Sequence, residues 1–426
     1  MDNSRAVSVN ERYWWRVVLL SFIGWIIMYA TRTIFNPIMG VVGEEFGLSN
    51  ADLGLANSIF FLTYAVVQIP FGALGDKIGR RLVIMVGFVL FGLMTYASGI
   101  ATTFVMFLFI RALAGIGQGA YYGPQYALSS EAIPTRTLTL GTAIINSGMA
   151  FGTSGGYLLS SQLVLENGQH WSRPFFIMAI PTVIVGILFY VLLKEKIVRP
   201  EDQNKTKEEL QAEATNGGNG YDESEGAKIS LGSIFANRNL LAAFILVFAS
   251  IYANFVIITW LPTFLIQERG FEGASVGFIS SLVPWASIPG AIFLAIRADR
   301  MKNTKRIVYI LAPIAALSVF LMAFVTNQTL LIVMLIIYGV TGKLAMDPIL
   351  VAFVSRHSPR RALGTALSAY NFVGMSGSIL APYITGFLSD TSGSMQIGFY
   401  LAAVLLIIGV GIFATLAREE KVPNSI

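Results

Sequence analysis

The chain has 426 residues, of which 55% are hydrophobic and only 12% are charged, and its mean hydropathy is +0.67. Soluble proteins carry about 25% charged residues, so this composition excludes a water-soluble globular protein and indicates a membrane protein with many spans. The net charge is +5, and cysteine is absent, which excludes disulfides, thiolate metal sites and cysteine nucleophiles.

Twelve long apolar stretches follow one another along the chain. A helix needs about 20 mainly apolar residues to cross a hydrocarbon core of roughly 30 Å. The alternation of a membrane β-barrel is absent, so we predict an all-α membrane protein in which each stretch is a helix or a shielded break in one. We number the predicted spans 1 to 12 in chain order: 14–40, 51–74, 82–100, 103–128, 137–161, 172–194, 239–266, 273–296, 307–326, 328–354, 362–388 and 394–417.

Lysine and arginine are distributed unevenly between these spans. Of the 29 cations, 24 lie in the terminal segments and in alternate loops, Arg173 and Arg269 lie in the other loops, and three lie inside spans. Cytoplasmic loops of membrane proteins carry the excess of cations, so we expect both termini in the cytoplasm. The net positive charge then reflects topology, and we expect no nucleic-acid partner.

The sequence lacks the residue patterns of enzymes and of nucleotide-driven pumps. The two histidines, His170 and His357, lie in predicted loops at opposite faces of the membrane, and the sequence contains neither a Walker-type phosphate loop nor a metal-ligand cluster. We therefore expect a protein that is not an enzyme, with no catalytic residues, no metal and no cofactor.

A polar segment divides the chain into two halves. Residues 195–230 are rich in Lys, Glu, Asn and Gly and are too polar to bury a core, and six predicted spans lie on each side of them. We predict an N-terminal six-helix bundle over 1–194, a cytoplasmic linker over 195–230 and a C-terminal six-helix bundle over 231–426.

The two halves also repeat each other. The segment LGTA at 140–143 recurs at 363–366, and Asp76 and Asp299 are separated by the same interval of sequence, which we call the repeat offset. The repeated residues occupy matching topological places, and six spans per half is an even number, so the halves are parallel repeats. Such repeats predict a substrate site at their interface near the membrane midplane.

The loop between spans 2 and 3 carries a family signature. Residues 72–81 (GALGDKIGRR) resemble the G-x-L-x-D-R-x-G-R-R signature of the major facilitator superfamily, and residues 298–300 (ADR) resemble a degraded copy of it. Glycine permits close helix approach and a sharp turn, and an aspartate there can face a helix N-terminus or an arginine of the other half. The resemblance implies a twelve-helix transporter of two pseudo-symmetric bundles, with a conformational gate formed by Gly72, Asp76, Gly79, Arg80, Glu131 and Asp299.

A narrower resemblance lies in spans 1 and 7. Residues 29–37 (YATRTIFNP) are similar to segments of the organophosphate/phosphate antiporters and of the anion:cation symporters, and residues 260–263 (WLPT) are similar to the W-x-P-T of the same relatives. The resemblance implies an organic anion as substrate. Asn254 stands where the phosphate antiporters carry a second arginine, and Thr31 and Gln118 stand where the sugar-acid symporters carry acidic residues.

Two arginines lie well inside spans. A charge near the bilayer centre costs about 2.5 to 3.5 kcal/mol, so each needs a physical reason. Arg32 shares a helical face with Tyr29 and Asn36, and Arg111 shares one with Gln118 and Tyr122. We interpret both faces as parts of a substrate cavity. The alternatives are a structural hydrogen-bond hub at Arg32 and a snorkelling or ion-paired Arg111.

Span 10 contains a lysine and a carboxylate. Lys343 and Asp347 are four residues apart and would be neighbours on one helix surface, although Pro348 disfavours helical geometry at Asp347. The pair either couples a proton to transport or is a structural ion pair. Asp347 is the single acidic residue well inside a span, so the three buried cations leave a surplus of two positive charges, which an anionic substrate could neutralise.

Several amide and aromatic residues complete the predicted site. Amides inside spans are more often interhelical hydrogen-bond partners than ligands, which is the alternative for each of them. The predicted substrate contacts are Tyr29, Arg32, Asn36, Arg111, Gln118, Tyr122, Asn254, Trp260, Lys343 and Asn371, with Asp347 as the proton carrier.

These features predict a secondary active transporter. We expect it to move a small organic anion, a carboxylate or a sugar acid, by alternating access and with coupling to protons, as a monomer in the lipid bilayer of a bacterial inner membrane. The alternative is an organophosphate/phosphate or other anion antiporter. A multidrug efflux pump fits less well, because a surplus of buried carboxylates would then be expected.

Overall fold

The computed structural model describes residues 7–8, 12–195, 197–198, 231–300, 304–358 and 363–418, and nearly all of them are helical. Most of the predicted linker lies outside the described residues. The proposed unit boundaries at 194 and 231 therefore stay a prediction, and below we call the residues before 195 the first half and those after 230 the second half.

The first half contains spans 1 to 6. Span 5 is rich in Gly, Ser and Thr, and a three-residue 3₁₀ turn precedes it while a π-helical segment follows it. The helices are Tyr13–Thr33, Asn36–Ile38 and Met39–Phe46 (span 1), Asn50–Ile78 (span 2), Arg80–Gly99 (span 3), Phe104–Gly119 and Tyr122–Ala132 (span 4), Thr135–Thr137, Leu138–Ser160 and Ser161–Glu166 (span 5) and Arg173–Leu192 (span 6).

The second half contains spans 7 to 12. In the described parts of the chain, 11 helices are long and apolar enough to cross a membrane, and the 23-residue helix of span 5 brings the number of spans to twelve, as predicted. The helices are Leu231–Ala236, Arg238–Arg269 (span 7), Ala274–Arg300 (span 8), Thr304–Phe324 (span 9), Gln328–Thr341 and Lys343–His357 (span 10), Leu363–Ser392 (span 11) and Gln396–Leu416 (span 12). A two-residue parallel strand pair, Val7–Ser8 with Ile197–Val198, was not predicted.

Spans 4 and 10 are interrupted, at positions that the sequence analysis did not identify. Span 4 breaks between Gly119 and Tyr122, so the straight helical face predicted from Arg111 to Tyr122 does not continue. Span 10 breaks at Gly342, whose ψ of −155° is outside the helical region. Ala120, inside the first break, and Lys343, directly after the second, are separated by the repeat offset, so the interruptions follow the internal repeat.

The halves meet along two seams at one face of the molecule. We call this face the opposite side, and we call the other face, which carries the loops with most cations, the basic side. Span 2 packs on span 11 and span 5 packs on span 8. A Cβ at Gly54 would lie 2.3 Å from the Pro382 carbonyl oxygen, and one at Gly277 would lie 2.7 Å from that of Tyr157. The repeat offset also separates these two glycines, so both seams depend on equivalent close approaches of backbone.

Candidate functional site

Arg32 is held in span 1 by an amide of span 4. Its side chain is buried, with 4% of its surface exposed, and its Nε donates to Gln118 Oε1 at 2.9 Å while Nη2 donates to the same oxygen. Gln118 in turn donates from Nε2 to the Met28 carbonyl at 3.1 Å, which fixes the amide orientation. The two predicted faces therefore do meet, and the partner of Arg32 is neutral.

Aromatic rings surround the Arg32 guanidinium. Its central carbon lies 4.5 Å from the ring centroid of Tyr29, 5.0 Å from that of Tyr64 and 5.2 Å from that of Phe61. The negative face of an aromatic ring attracts a cation, so these rings help to stabilise the charge that is removed from water. They leave the arginine positively charged.

Arg111 lies beside Arg32 and also has an amide partner. It is buried, with 2% of its surface exposed, and its Nη2 donates to Asn57 Oδ1 at 2.8 Å. The two guanidinium carbons lie 5.8 Å (Arg32) and 4.7 Å (Arg111) from the centroid of the Phe60 ring. Arg111 Nε has no hydrogen-bond partner in the described part of the chain. The first half therefore concentrates two cations around one ring.

A hydrogen-bonded chain leads from Arg111 to the second half. Asn57 donates from Nδ2 to Asn36 Oδ1 at 3.1 Å, and Asn36 donates from Nδ2 to the Ile258 carbonyl at 2.9 Å. The Tyr157 hydroxyl donates to the same carbonyl at 2.6 Å. Asn36 therefore connects the arginine of span 4, through span 2, to the backbone of span 7.

Pro262 explains why that carbonyl is available. In a helix, the carbonyl of residue 258 accepts the N–H of residue 262, but proline has no N–H to donate. The proline of the WLPT segment thus leaves the Ile258 carbonyl outside the hydrogen-bond ladder of its own helix. Two side chains of the first half donate to it instead.

Lys343 and Asp347 form an ion pair in span 10. Their charged atoms are 3.1 Å apart, and their side chains are partly exposed, at 21% and 32%. The Tyr370 hydroxyl of span 11 donates to Asp347 Oδ1 at 2.7 Å. Pro348 lies inside the helix without preventing the pairing.

The remaining predicted contacts have different positions. Trp260 is fully buried and its indole N–H donates to the Pro382 carbonyl at 2.9 Å, so in this conformation it packs within the second half. Tyr122 is 39% exposed and contacts the Tyr126 ring at 4.9 Å. Asn254 is buried at 8% exposure, while Asn371 is exposed. The structure brings neither amide into a hydrogen bond with another described residue.

The predicted gate residues contact one another inside the first half. Arg80 lies 2.9 Å from Asp76 and pairs also with Glu131. Gly79 has a φ of +111° and directly precedes the helix of span 3, as expected for a sharp turn, and Gly72 is open, with no atom within 4 Å of an added Cβ. Asp299 is the exception, because its side chain lies outside the described part of the chain. Among the described residues, Asp76 contacts Arg80 of its own half and no residue of the other half.

Sequence reasoning missed Asn57 and Tyr64, which hold Arg111 and flank Arg32. They are seven residues apart on span 2, so they share one helical face, and both are polar residues in an apolar stretch. That spacing could have identified them.

The comparisons with known proteins agree with this architecture. The family model described as Major Facilitator Superfamily matches residues 21–382 and 342–426. The chain is 25% identical over 415 residues to the hexuronate transporter of Bacillus subtilis (strain 168), with 94% of this chain and 93% of the relative covered. It is 23% identical over 389 residues to the gentisate transporter of Corynebacterium glutamicum, with 91% and 84% covered.

A solved structure shows the same fold. The crystal structure of a bacterial homolog of the human lysosomal transporter Spinster, in an inward-facing and unoccupied conformation, matches with a TM-score of 0.75 at 15% identity, covering 96% of this chain and 98% of the other. With the match to the family model along most of the chain, the chain belongs to the Major Facilitator Superfamily and is a membrane transporter, not an enzyme.

Proposed function

We propose that the protein transports a small organic anion, a carboxylate or a sugar acid, by alternating access between the two halves. The observation that carries this proposal is the pair of buried arginines, Arg32 and Arg111, whose side-chain hydrogen-bond partners are the neutral amides Gln118 and Asn57. The relatives named for hexuronate and gentisate, both organic anions, support it.

The energetics of buried charge favour an anionic ligand. Each cation near the bilayer centre costs about 2.5 to 3.5 kcal/mol on the insertion scale, and an amide partner satisfies its donors without neutralising it. A carboxylate placed between the halves gains attraction to both arginines in a low-dielectric site. A neutral or cationic ligand gains no such term.

The residues then divide into ligands and positioning groups. Arg32 binds the carboxylate, because Gln118 takes only two of its five N–H donors. Gln118 orients Arg32, and Arg111 supplies the second positive charge. We place Tyr29, Tyr122 and Lys343, whose side chains are not buried, at the substrate cavity, with Asn254 and Asn371 as contacts from the second half. Asn36 and Trp260 maintain the helix packing around it.

Proton coupling is assigned to Asp347. It is partly exposed, and it accepts from both Lys343 and Tyr370, so protonation would remove its attraction for the lysine and leave a third cation facing the anion. One carboxylate of this kind is sufficient for a one-proton symport cycle.

The proposed orientation of the protein in the membrane follows from the distribution of its lysines and arginines. We place the basic side and both termini in the cytoplasm of a bacterial cell, with the protein in the inner membrane as a monomer. The signature residues Gly72, Asp76, Gly79, Arg80, Glu131 and Asp299 then form the cytoplasmic gate, and the two six-helix halves rock about the site.

Uptake into proteoliposomes tests the proposal. The purified protein is reconstituted, and counterflow of labelled glucuronate, gentisate, succinate and glycerol 3-phosphate is compared with that of glucose and tetraphenylphosphonium. We expect saturable counterflow of at least one carboxylate, and accumulation that requires an inside-alkaline pH gradient. Preference for the sugar or the organic cation would overturn the anion assignment, and a strict requirement for internal phosphate would indicate an antiporter.

A further inference from the structure

We propose that Glu166 and Asp390 are reciprocal latches that hold the opposite side of the interface closed. Each carboxylate belongs to one half and accepts hydrogen bonds from backbone N–H groups at the start of a helix in the other half. The inference needs two alternating states and no particular substrate, so it can fail while the proposed anion transport stands.

Asp390 of span 11 caps the first turn of span 2. Its Oδ1 accepts from the Asn50 N–H at 2.9 Å and its Oδ2 accepts from the Ala51 N–H at 2.7 Å. The next N–H, that of Asp52, donates to the Ser49 hydroxyl within the first half. The unpaired donors at the start of span 2 are therefore divided between a local cap and a carboxylate of the other half.

Glu166 makes the corresponding contact with span 8. It lies at the end of the π-helical segment after span 5, and its Oε2 accepts from the Ala274 N–H at 2.9 Å. Gly273 precedes that helix with a φ of +57°, and a Cβ there would lie 2.0 Å from the same carboxylate oxygen. Glycine at this position thus leaves room for the side chain of the other half.

The internal repeat relates the two latches. Ala51 and Ala274, which donate to the carboxylates, are separated by the repeat offset and so occupy equivalent positions in the two halves. Span 2 receives its cap from span 11, and span 8 receives its cap from the end of span 5. Each half therefore gives one carboxylate and accepts one, as a two-fold interface requires.

The physical effect of the latches is state-dependent. The first N–H groups of a helix carry a partial positive charge and are stabilised by a carboxylate. The donors and the acceptors lie in different halves, so separation of the seams breaks these bonds while the bonds within each half persist. Both contacts stabilise the state in which the opposite side is closed, and their loss shifts the population toward the other state.

Because the chain contains no cysteine, a single introduced thiol can be labelled selectively. Ser161→Cys places a thiol in the seam of spans 5 and 8, where Ser161 is 0% exposed and makes no hydrogen bond within the described residues. Ser58→Cys places a thiol in the seam of spans 2 and 11, where Ser58 is 6% exposed and its hydroxyl accepts from the Tyr383 N–H at 3.2 Å, so each latch variant is compared with the Ser58→Cys parent. The rate at which a maleimide labels each thiol in nanodiscs reports how often that seam opens.

Each latch is tested with the reporter in the seam that does not contain it. We expect Asp390→Ala to accelerate labelling at Ser161→Cys, and Glu166→Ala to accelerate labelling at Ser58→Cys, by roughly two- to thirty-fold, the range expected for loss of a helix cap. Asp390 spans two N–H groups, so its effect is the larger. The double variant multiplies the two effects, because both contacts bias the same equilibrium.

Glu272→Ala is the matched control, because Glu272 is an exposed carboxylate beside Gly273 for which the described residues show no contact with the other half. Its labelling rates stay at the level of the parent. Acceleration confined to the seam that carries the substitution would mean local fraying and would overturn the latch, as would unchanged labelling in the double variant. Monodisperse elution and full labelling after denaturation exclude misfolding as the cause.

Discussion

The two halves of the site stabilise their cations in different ways. In the first half, Arg32 and Arg111 are almost fully buried and their side-chain partners are the amides Gln118 and Asn57. In the second half, Lys343 is partly exposed and pairs with a carboxylate. The same charge is thus left unneutralised on one side of the interface and neutralised on the other.

This difference assigns separate roles to the halves. An amide satisfies the donors of an arginine and leaves its charge available for an anionic ligand. A carboxylate neutralises the charge of a lysine, and protonation of the carboxylate ends that neutralisation. The first half therefore provides a permanent binding charge, and the second half provides a charge that one proton can change.

The largest effect is expected from removal of the permanent charge. Arg32→Ala should lower the initial rate of anion counterflow by at least about 30-fold, because truncating a buried, hydrogen-bonded charge costs about 2 to 5 kcal/mol. Arg32→Lys should recover only part of this, since lysine cannot reproduce the forked contact with Gln118. Arg173→Lys, an exposed arginine on the opposite side, is the control and should transport normally. Equal transport by Arg32→Ala would remove Arg32 from the site.

The ion pair of the second half is tested by single and double substitutions. If the pair is only structural, Lys343→Met and Asp347→Asn each leave one charge unpaired, so each would slow counterflow by about 10-fold and the double variant would recover most of the rate. A proton role predicts a different pattern. Asp347→Asn would then abolish accumulation driven by a pH gradient while sparing counterflow, and the double variant would not restore accumulation.

Gln118→Glu gives Arg32 a carboxylate partner, as Lys343 already has in the second half. The new carboxylate would neutralise Arg32 and compete with the substrate for it, so we expect the KM for the anion to rise by about 10-fold, with a smaller effect on the maximal rate. Gln118→Met, which removes the hydrogen bonds without adding charge, separates positioning from neutralisation. An unchanged KM in Gln118→Glu would show that Arg32 does not bind the anion.

The smallest effect is expected at Tyr370. Tyr370→Phe removes one hydrogen bond to Asp347, worth about 0.5 to 1.5 kcal/mol, while the lysine remains. The hydroxyl holds Asp347 in place beside Lys343, so its loss should slow gradient-driven uptake by about two- to ten-fold. Tyr383→Phe, an exposed tyrosine of the same span, serves as the control. An uptake rate identical to that of the parent would show that the Tyr370 hydroxyl does not support Asp347.

The sequence predicted the spans well, because a span depends on a long run of apolar residues. The number of spans agrees with the structure, and the family agrees with the family model. The positions of the breaks in spans 4 and 10 were not predicted, because glycine is frequent in membrane helices and does not by itself mark a break. The repeat offset separates Ala120 from Lys343 and so relates the two breaks, but neither residue type marks an interruption in the sequence.

Contacts between distant segments could not be predicted from one sequence. Arg111 meets Asn57, which lies on another span, and no local pattern encodes that pairing. The contacts of Glu166 and Asp390 were likewise not predicted, because a carboxylate near the end of a span gives no sign of the helix that it faces. Trp260 was predicted as a contact from its motif, and its burial against Pro382 depends on packing alone.

The carbonyl of Ile258 has a consequence for how the interface can change. This atom belongs to the main chain, so no replacement of the Ile258 side chain removes it, and a scan of side chains at that position would register only changes in packing. Its availability is decided by the residue four positions later, where Pro262 withholds a donor. Pro262 thus determines whether the Ile258 carbonyl can accept hydrogen bonds from the other half, although Pro262 itself takes no part in that contact.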